Sequence, residues 1–220
     1  MTVNYKNKKV IGFDLDQTLY PKSPEIDEAI QKYIYEVIAK HRNISLKDAE
    51  TLFKDLYKEG KGLSGSQSVI ALGIPDGKEV VQTALEKADI AKFLKPDATV
   101  IDILKKTTGK FKNVDLITGS ARQITLKKLS ALGIESSLFN KIITKDDASK
   151  SDDTAYKMWL SLYPDFTPGD FLYIGDRISS DYVAPKKLGI DSILVNIKEK
   201  SREADCPQLS SFVELKNILL

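Results

Sequence analysis

Val10-Ile11-Gly12-Phe13-Asp14-Leu15-Asp16-Gln17-Thr18-Leu19-Tyr20 runs from an unbroken apolar stretch straight into two acids set two residues apart. Val10 to Asp14 reads as a buried strand, short and rich in branched and aromatic side chains. A carboxylate buried at the end of such a strand is costly without a partner, so Asp14 and Asp16 demand a cation. The D-x-D-x-T spacing alone is weak, because roughly one chain in 20 of this length would carry it by accident. An Asp-rich turn is the plain alternative, and the rest of the chain must separate the two.

Four further runs read as strands: Val114 to Thr118, Lys141 to Ile143, Phe171 to Gly175 and Ser192 to Asn196. Helical stripes lie between them. Ile124, Leu126, Leu129 and Leu132 stop at Gly133, and Tyr156, Trp159, Leu160 and Tyr163 stop at Pro164. Strand and helix in alternation predict an α/β fold, with about five parallel strands joined by right-handed crossovers. One connection breaks the rhythm. Residues 20–95 hold helical patterns only: Ser23-Pro24-Glu25 starts a helix with the stripe Ile26, Ile30, Tyr33, Ile34, Val37 and Ile38, and Ser45 with Asp48 starts a second bearing Ala49, Leu52, Phe53, Leu56 and Tyr57. Shorter helices are predicted over Ser66 to Leu72 and Lys78 to Lys87. The expected organisation is a core of 1–19 and 96–220 and an all-helical cap domain of 20–95.

Charge excludes several functions. Of 220 residues, 33 are basic and 31 acidic, a net charge of +2, and 42% are apolar. The insertion carries 12 basic and 12 acidic side chains, so neither piece has the basic bias that a nucleic-acid polymer would need. No apolar run reaches the roughly 20 residues of a membrane span. The polar N-terminus and the single cysteine, Cys206, suit a reducing cytoplasm, and with one His, His41, no Cys/His zinc site can form. Monomer and weak dimer are both left open.

Chemistry gathers where the strands end. Leu116-Ile117-Thr118-Gly119-Ser120 closes one strand with a hydroxyl before a helix, whose N-terminus is a potential anion site. Another closes Gly175-Asp176-Arg177, with Asp181 five residues on. Ligands of open α/β sheets sit beyond the carboxyl ends of strands, so three strands deliver polar groups to one edge. Asp14, Asp16 and Asp176 are hard oxygen donors suited to Mg²⁺. A carboxylate can also attack phosphorus, and a transferring phosphoryl group wants a metal, a hydroxyl such as that of Thr118, and a lysine or arginine nearby.

Asp14-x-Asp16-x-Thr18, Thr118 after a strand, a lysine, and Gly175-Asp176-x-x-x-x-Asp181, in that order along the chain, resemble the four motifs of the haloacid dehalogenase superfamily. The helical insertion after the first motif resembles a C1-type cap. Asp14-Leu15-Asp16-Gln17-Thr18-Leu19-Tyr20-Pro21 is similar to pyrimidine 5′-nucleotidase-like members, and 56–65 and Leu94-Lys95-Pro96-Asp97 share that character more weakly. The resemblance implies a Rossmann-like open parallel sheet with helices on both faces, and a Mg²⁺-dependent phosphatase that forms an aspartyl-phosphate. Asp14 is then the nucleophile and Asp16 the acid/base. Asp14, Asp16 (through its carbonyl), Asp176 and Asp181 hold or support the metal, while Asp14, Leu15, Asp16, Thr118, Gly119 and Lys150 surround the substrate phosphate. Lys150 precedes a helix of the expected length, although Ser151 departs from the usual Pro; Lys145 is the runner-up. Gly119 departs from the Asn of nucleotidase-like members. Dehalogenases lack an acid at the place of Asp16, so its presence favours phosphate monoesters, with mutase chemistry also compatible.

Other residues read more plainly. His41 suits the dipole at a helix C-terminus, Trp159 suits core packing, and Cys206 has no neighbouring base. Arg177 could steady the acids or face solvent. Leu63 to Gln67 could select a leaving group or be a plain loop. An insertion this large would exclude macromolecules, leaving a small phosphorylated metabolite (nucleoside monophosphate, phosphoglycolate or sugar phosphate) as substrate, or, for a protein without catalysis, as ligand.

Overall fold

The computed structural model describes residues 5–57, 60–150, 152–198 and 200–220. They divide into two compact units, Met1–Pro21 with Leu94–Leu220, and Lys22–Phe93. The borders lie two residues inside 20 and 95, because Tyr20 is buried and its hydroxyl donates to Asp16 of the larger unit. Ser151, Lys58 and Glu59, singled out above, lie outside the described residues, as do the first four.

The larger unit is built on a five-stranded, fully parallel sheet: β1 (Val10–Phe13), β2 (Asn113–Ile117), β3 (Ile142–Ile143), β4 (Phe171–Gly175) and β5 (Asp191–Leu194), in the order β3-β2-β1-β4-β5. β1, β2 and β5 stop one or two residues short of their expected ends, so Asp14, Thr118 and Asn196 stand just beyond the ladder, while β3 and β4 end at Ile143 and Gly175 as expected. Phe13 pairs with Leu116 on one side and Ile174 on the other. That register aligns the residues following β1, β2 and β4 along one edge, where the order of connection reverses and ligands of such sheets bind.

Every β1 residue is buried, as a central parallel strand requires. On one sheet face lies Trp159 of a helix, Thr154–Ser161, with its ring edge-on to Phe171 at 4.9 Å and to Tyr173 at 6.0 Å. A Cβ at Gly12 would lie 2.7 Å from that indole, so glycine here makes room for the largest core side chain. The indole N–H donates to Asp115 at 2.7 Å, and Tyr163 and the Lys141 backbone complete that buried acid's partners.

Two expectations need correction. A helix over Ala98–Lys110, capped by Asp97 on the N–H groups of Thr99 and Val100, escaped the sequence reading; its buried residues Val100, Ile103, Leu104 and Thr107 follow helical spacing. In the helix Arg122–Ala131, Leu126 is 43% exposed, and the buried stripe runs instead through Thr125, Lys128 and Leu129.

The described residues of the smaller unit include the α-helices Pro24–Arg42, Leu46–Leu56, Gly65–Ala71 and Gly77–Lys87. Ser23 and Ser45 cap the first two as their sequences dictate. Ile34, Ile38, Ala49, Phe53, Val69 and Ala84 fill the core between them. The third helix begins earlier than Ser66, because Ser64 and Gln67 form a reciprocal capping box. Those two side chains of the 63–67 stretch are therefore engaged in closing a helix end. No helix among the described residues is long and apolar enough to cross a membrane.

Candidate active site

Asp14 sits at the carboxyl end of β1, 5% exposed, with its backbone N–H still bonded to Ile174 at 2.8 Å. Its Oδ1 accepts from Lys150 Nζ at 2.6 Å, and its Oδ2 accepts a long contact, 3.4 Å, from the Thr18 hydroxyl. Lys150 also reaches Asp181 Oδ1 at 2.8 Å and lies over the Tyr173 ring. Lys145 is exposed and its backbone N–H bonds Ser120, so Lys150 is the lysine joined to Asp14.

Asp181 is turned back by a π-helical turn, Ile178–Val183. Its Oδ2 accepts the backbone N–H groups of Asp176 and Arg177 at 3.0 and 2.9 Å, and its Oδ1 also accepts the Ser180 hydroxyl. A Cβ at Gly175 would stand 2.4 Å from Asp181 Cβ, so this return path requires glycine. Arg177 thus contributes its main chain, while its side chain is exposed.

Asp14, Asp176 and Asp181 each offer an oxygen within 4.8 Å of the others. Asp176 Oδ1 is buried without a hydrogen-bond partner among the described residues. Three acids facing one lysine leave a surplus of negative charge. Burial, then Asp14 and Asp181, push the Asp176 carboxyl up to about 7. Burial likewise raises Asp14 against the pull of Lys150, with Asp181 and Asp16 adding to the rise. For Asp181 burial is outweighed by Lys150 and its N–H donors, which hold the carboxyl below the usual range. A hard cation fits this set: the orphaned Asp176 oxygen and the weakly engaged Asp14 Oδ2 are the acceptors on offer. Asp181, with both oxygens already engaged, supports the loop between them.

Asp16 lies outside that trio. Its Oδ1 accepts from Tyr20 and Lys128, and its Oδ2 from Ser120 Oγ at 2.8 Å and Thr118 Oγ1 at 3.5 Å. Lys128 is 3% exposed and also donates to Ser120 Oγ at 3.0 Å. Burial works against the charged form of Asp16, yet Lys128 and the hydroxyls keep its carboxyl below the ordinary value. Tyr20, Ser120 and Lys128 were not foreseen in these roles. The spacing of Thr125, Lys128, Leu129 and Leu132 was the available signal, obscured because a lysine normally marks a solvent face.

Thr118 is buried and its Oγ1 accepts the Ser120 N–H at 3.1 Å. Gly119 is exposed, and a Cβ there would meet nothing within 4 Å, so packing does not require glycine. The Leu15 side chain is fully buried, leaving its main chain as what it can offer a ligand. At the start of the helix Arg122–Ala131 the first N–H is already taken by Asp146 Oδ2 at 2.8 Å, which narrows the anion site expected there. Asn196, beyond β5, donates to the carbonyls of Gln17 and Thr18 at 2.7 and 3.1 Å while accepting the Phe212 N–H. It anchors the loop that carries Asp16, where Gln17 adopts a left-handed φ of 61°. Cys206 stays out of the chemistry, its thiol pushed up to about 11 by burial.

Residues 11–195 match the family model described as haloacid dehalogenase-like hydrolase. The chain is 24% identical over 212 residues to a glyceraldehyde 3-phosphate phosphatase of Methanocaldococcus jannaschii, an alignment spanning 93% of this chain and 91% of that protein. It is 29% identical over 131 residues to phosphate metabolism protein 8 of Saccharomyces cerevisiae, covering 58% of this chain and 40% of the yeast protein's length. Among solved structures, a magnesium-bound HAD-hydrolase of Bacillus subtilis superposes with a TM-score of 0.64 at 19% identity, over 97% of this chain and 99% of that one.

Proposed function

The chain belongs to the haloacid dehalogenase-like hydrolase family, and on that premise we propose that it is a Mg²⁺-dependent phosphatase acting on a small phosphate monoester through an aspartyl-phosphate. The observation that carries this reading is the buried Asp14, paired with Lys150 and standing beside an Asp176 oxygen that lacks a hydrogen-bond partner among the described residues. Asp14, Asp176 and the supporting Asp181 would hold the metal, which supplies positive charge against the substrate phosphate.

In the proposed reaction the Asp14 carboxylate attacks phosphorus through the oxygen that does not face the metal, and the bond from phosphorus to the ester oxygen breaks. The leaving oxygen takes the electron pair and a proton from the acid form of Asp16. Water then attacks the aspartyl-phosphate, gives a proton to Asp16 and releases Asp14 with inorganic phosphate, which restores both acids. Lys150 offsets charge on Asp14 and the transferring group, and Thr118 with the backbone after it offers donors to phosphate oxygens.

The helical unit at 22–93 is read as a C1-type cap that limits the substrate to a small metabolite, and the sequence of 14–21 supports a pyrimidine 5′-nucleotidase-like subgroup. A lone, inert cysteine supports a cytoplasmic setting. Phosphate release from a panel of nucleoside monophosphates, phosphoglycolate and sugar phosphates, with Mg²⁺ and with chelator, tests the proposal. Mg²⁺-dependent release from at least one is expected, and an inert protein across the panel would sink it in favour of a phosphometabolite-binding role. Isomerised product without phosphate release would identify a mutase instead.

A further inference from the structure

Lysine is among the side chains least often fully buried, and Lys128 is 3% exposed. Burying an ammonium is costly unless its donors are matched. Here they are spent on two groups at the candidate site, the Asp16 carboxylate and the Ser120 hydroxyl, and Ser120 in turn bonds the other oxygen of Asp16. The triangle is closed: lysine to acid, lysine to hydroxyl, hydroxyl to acid. With Tyr20 on Oδ1, both oxygens of Asp16 have fixed directions. Lys128 pairs with Asp16, whereas Asp14 and Asp181 of the other trio share Lys150.

We propose that Lys128 is a positioning residue, acting through Ser120 and Asp16 to fix the carboxylate that exchanges a proton with the leaving oxygen. This rests on the phosphatase reading above. An acid held in one orientation donates efficiently only to an oxygen on its line, so loosening it weakens proton transfer and leaves Asp14's attack on phosphorus intact. The consequence is a dependence on the leaving group. An alkyl phosphate releases a poor leaving group and needs the proton, whereas p-nitrophenyl phosphate releases a stable phenolate and does not.

The test compares wild type, Lys128→Met, Lys128→Arg, Asp16→Asn and the double variant Lys128→Met/Asp16→Asn, using kcat/KM, which reports events up to the phosphoryl transfer. The substrates are p-nitrophenyl phosphate and the best alkyl phosphate of the panel. Lys128→Met is expected to lose about 10-fold or more on the alkyl ester relative to p-nitrophenyl phosphate. Lys128→Arg should recover part of the loss, and Lys128→Met should add little in the Asp16→Asn background. The ratio of two substrates on one preparation is unaffected by the fraction of enzyme that folds. Equal losses on both substrates, no loss, or a full additional loss without Asp16 would each overturn the proposal. A wild type inert to every ester would instead remove the phosphatase reading, and this proposal with it.

Discussion

Asp14 and Asp16 stand two residues apart on one loop, and each is paired with a buried lysine from a different place in the chain. Their surroundings are nevertheless opposite. Asp14 shares Lys150 with Asp181 and faces Asp176 as well, so negative charge exceeds positive. Asp16 is paired with Lys128, and the hydroxyls of Tyr20, Ser120 and, at longer range, Thr118 donate to it as well. One side of the loop is built to be completed by a cation, and the other is complete without one. In the proposed phosphatase the carboxylate of Asp16 would be left to proton transfer, and local charge balance along a short stretch of strand and turn would divide metal from acid/base chemistry.

Substitutions that exchange the two environments probe this division. Asp14→Asn should have the largest effect, a fall of about 10⁴-fold or more in kcat with the circular-dichroism spectrum unchanged; retained turnover would show that the nucleophile lies elsewhere. Lys150→Met leaves two buried acids without their shared cation and should cost about 3–5 kcal/mol in denaturant unfolding without metal. Mg²⁺ should recover part of that loss, and no recovery would argue that the cation does not approach Asp14. In the Asp176→Asn protein, Mg²⁺ should no longer raise Tm.

The pH dependence follows from Asp176. Its carboxyl is raised to about 7 in the folded protein, whereas the unfolded chain ionises near pH 4. Its contribution to stability is therefore present in full below about pH 4 and is lost as pH rises through about 7. Because Mg²⁺ binds the ionised form, the Tm gain from saturating Mg²⁺ should be larger at pH 8 than at pH 5; a gain independent of pH would remove Asp176 from the metal site. The smallest effect is expected for Asn196→Ala, about 2–3 kcal/mol in unfolding, from three lost side-chain hydrogen bonds and an alanine at a left-handed φ of 57°.

The sheet was largely legible in the sequence because its strands are buried on both faces and so appear as solid apolar runs, each punctuated at its end. Asp14, Asp16 and Asp176 were legible for the converse reason: an acid directly after such a run is conspicuous. Lys150 and Lys145 could be ranked only by the length of the following helix, and three-dimensional reach separates them. The helix Ala98–Lys110 was missed because its last buried position is Thr107, followed by Thr108 and Gly109, which together read as loop. Lys128 was missed because the reading of that helix followed the most apolar side chain available, Leu126, whereas the partner awaiting the buried face was a carboxylate from another strand. A stripe records what its neighbour offers, and the neighbour of this helix is polar at one point.

The place of β1 at the middle of the sheet has a consequence for biosynthesis. Val10–Phe13 leaves the ribosome before the strands it pairs with, and β4, one of its two neighbours, follows about 160 residues later, which at typical elongation rates is a delay of roughly 10–30 s. During that interval this buried strand, and Asp14 just beyond it, lack at least one of the two neighbours that flank it in the sheet. The early helices at 24–87 can meanwhile assemble around their own core. If the helical unit closes its own core first, a newly made chain would carry a formed unit beside a bare strand, the stage at which a holdase would find its grip.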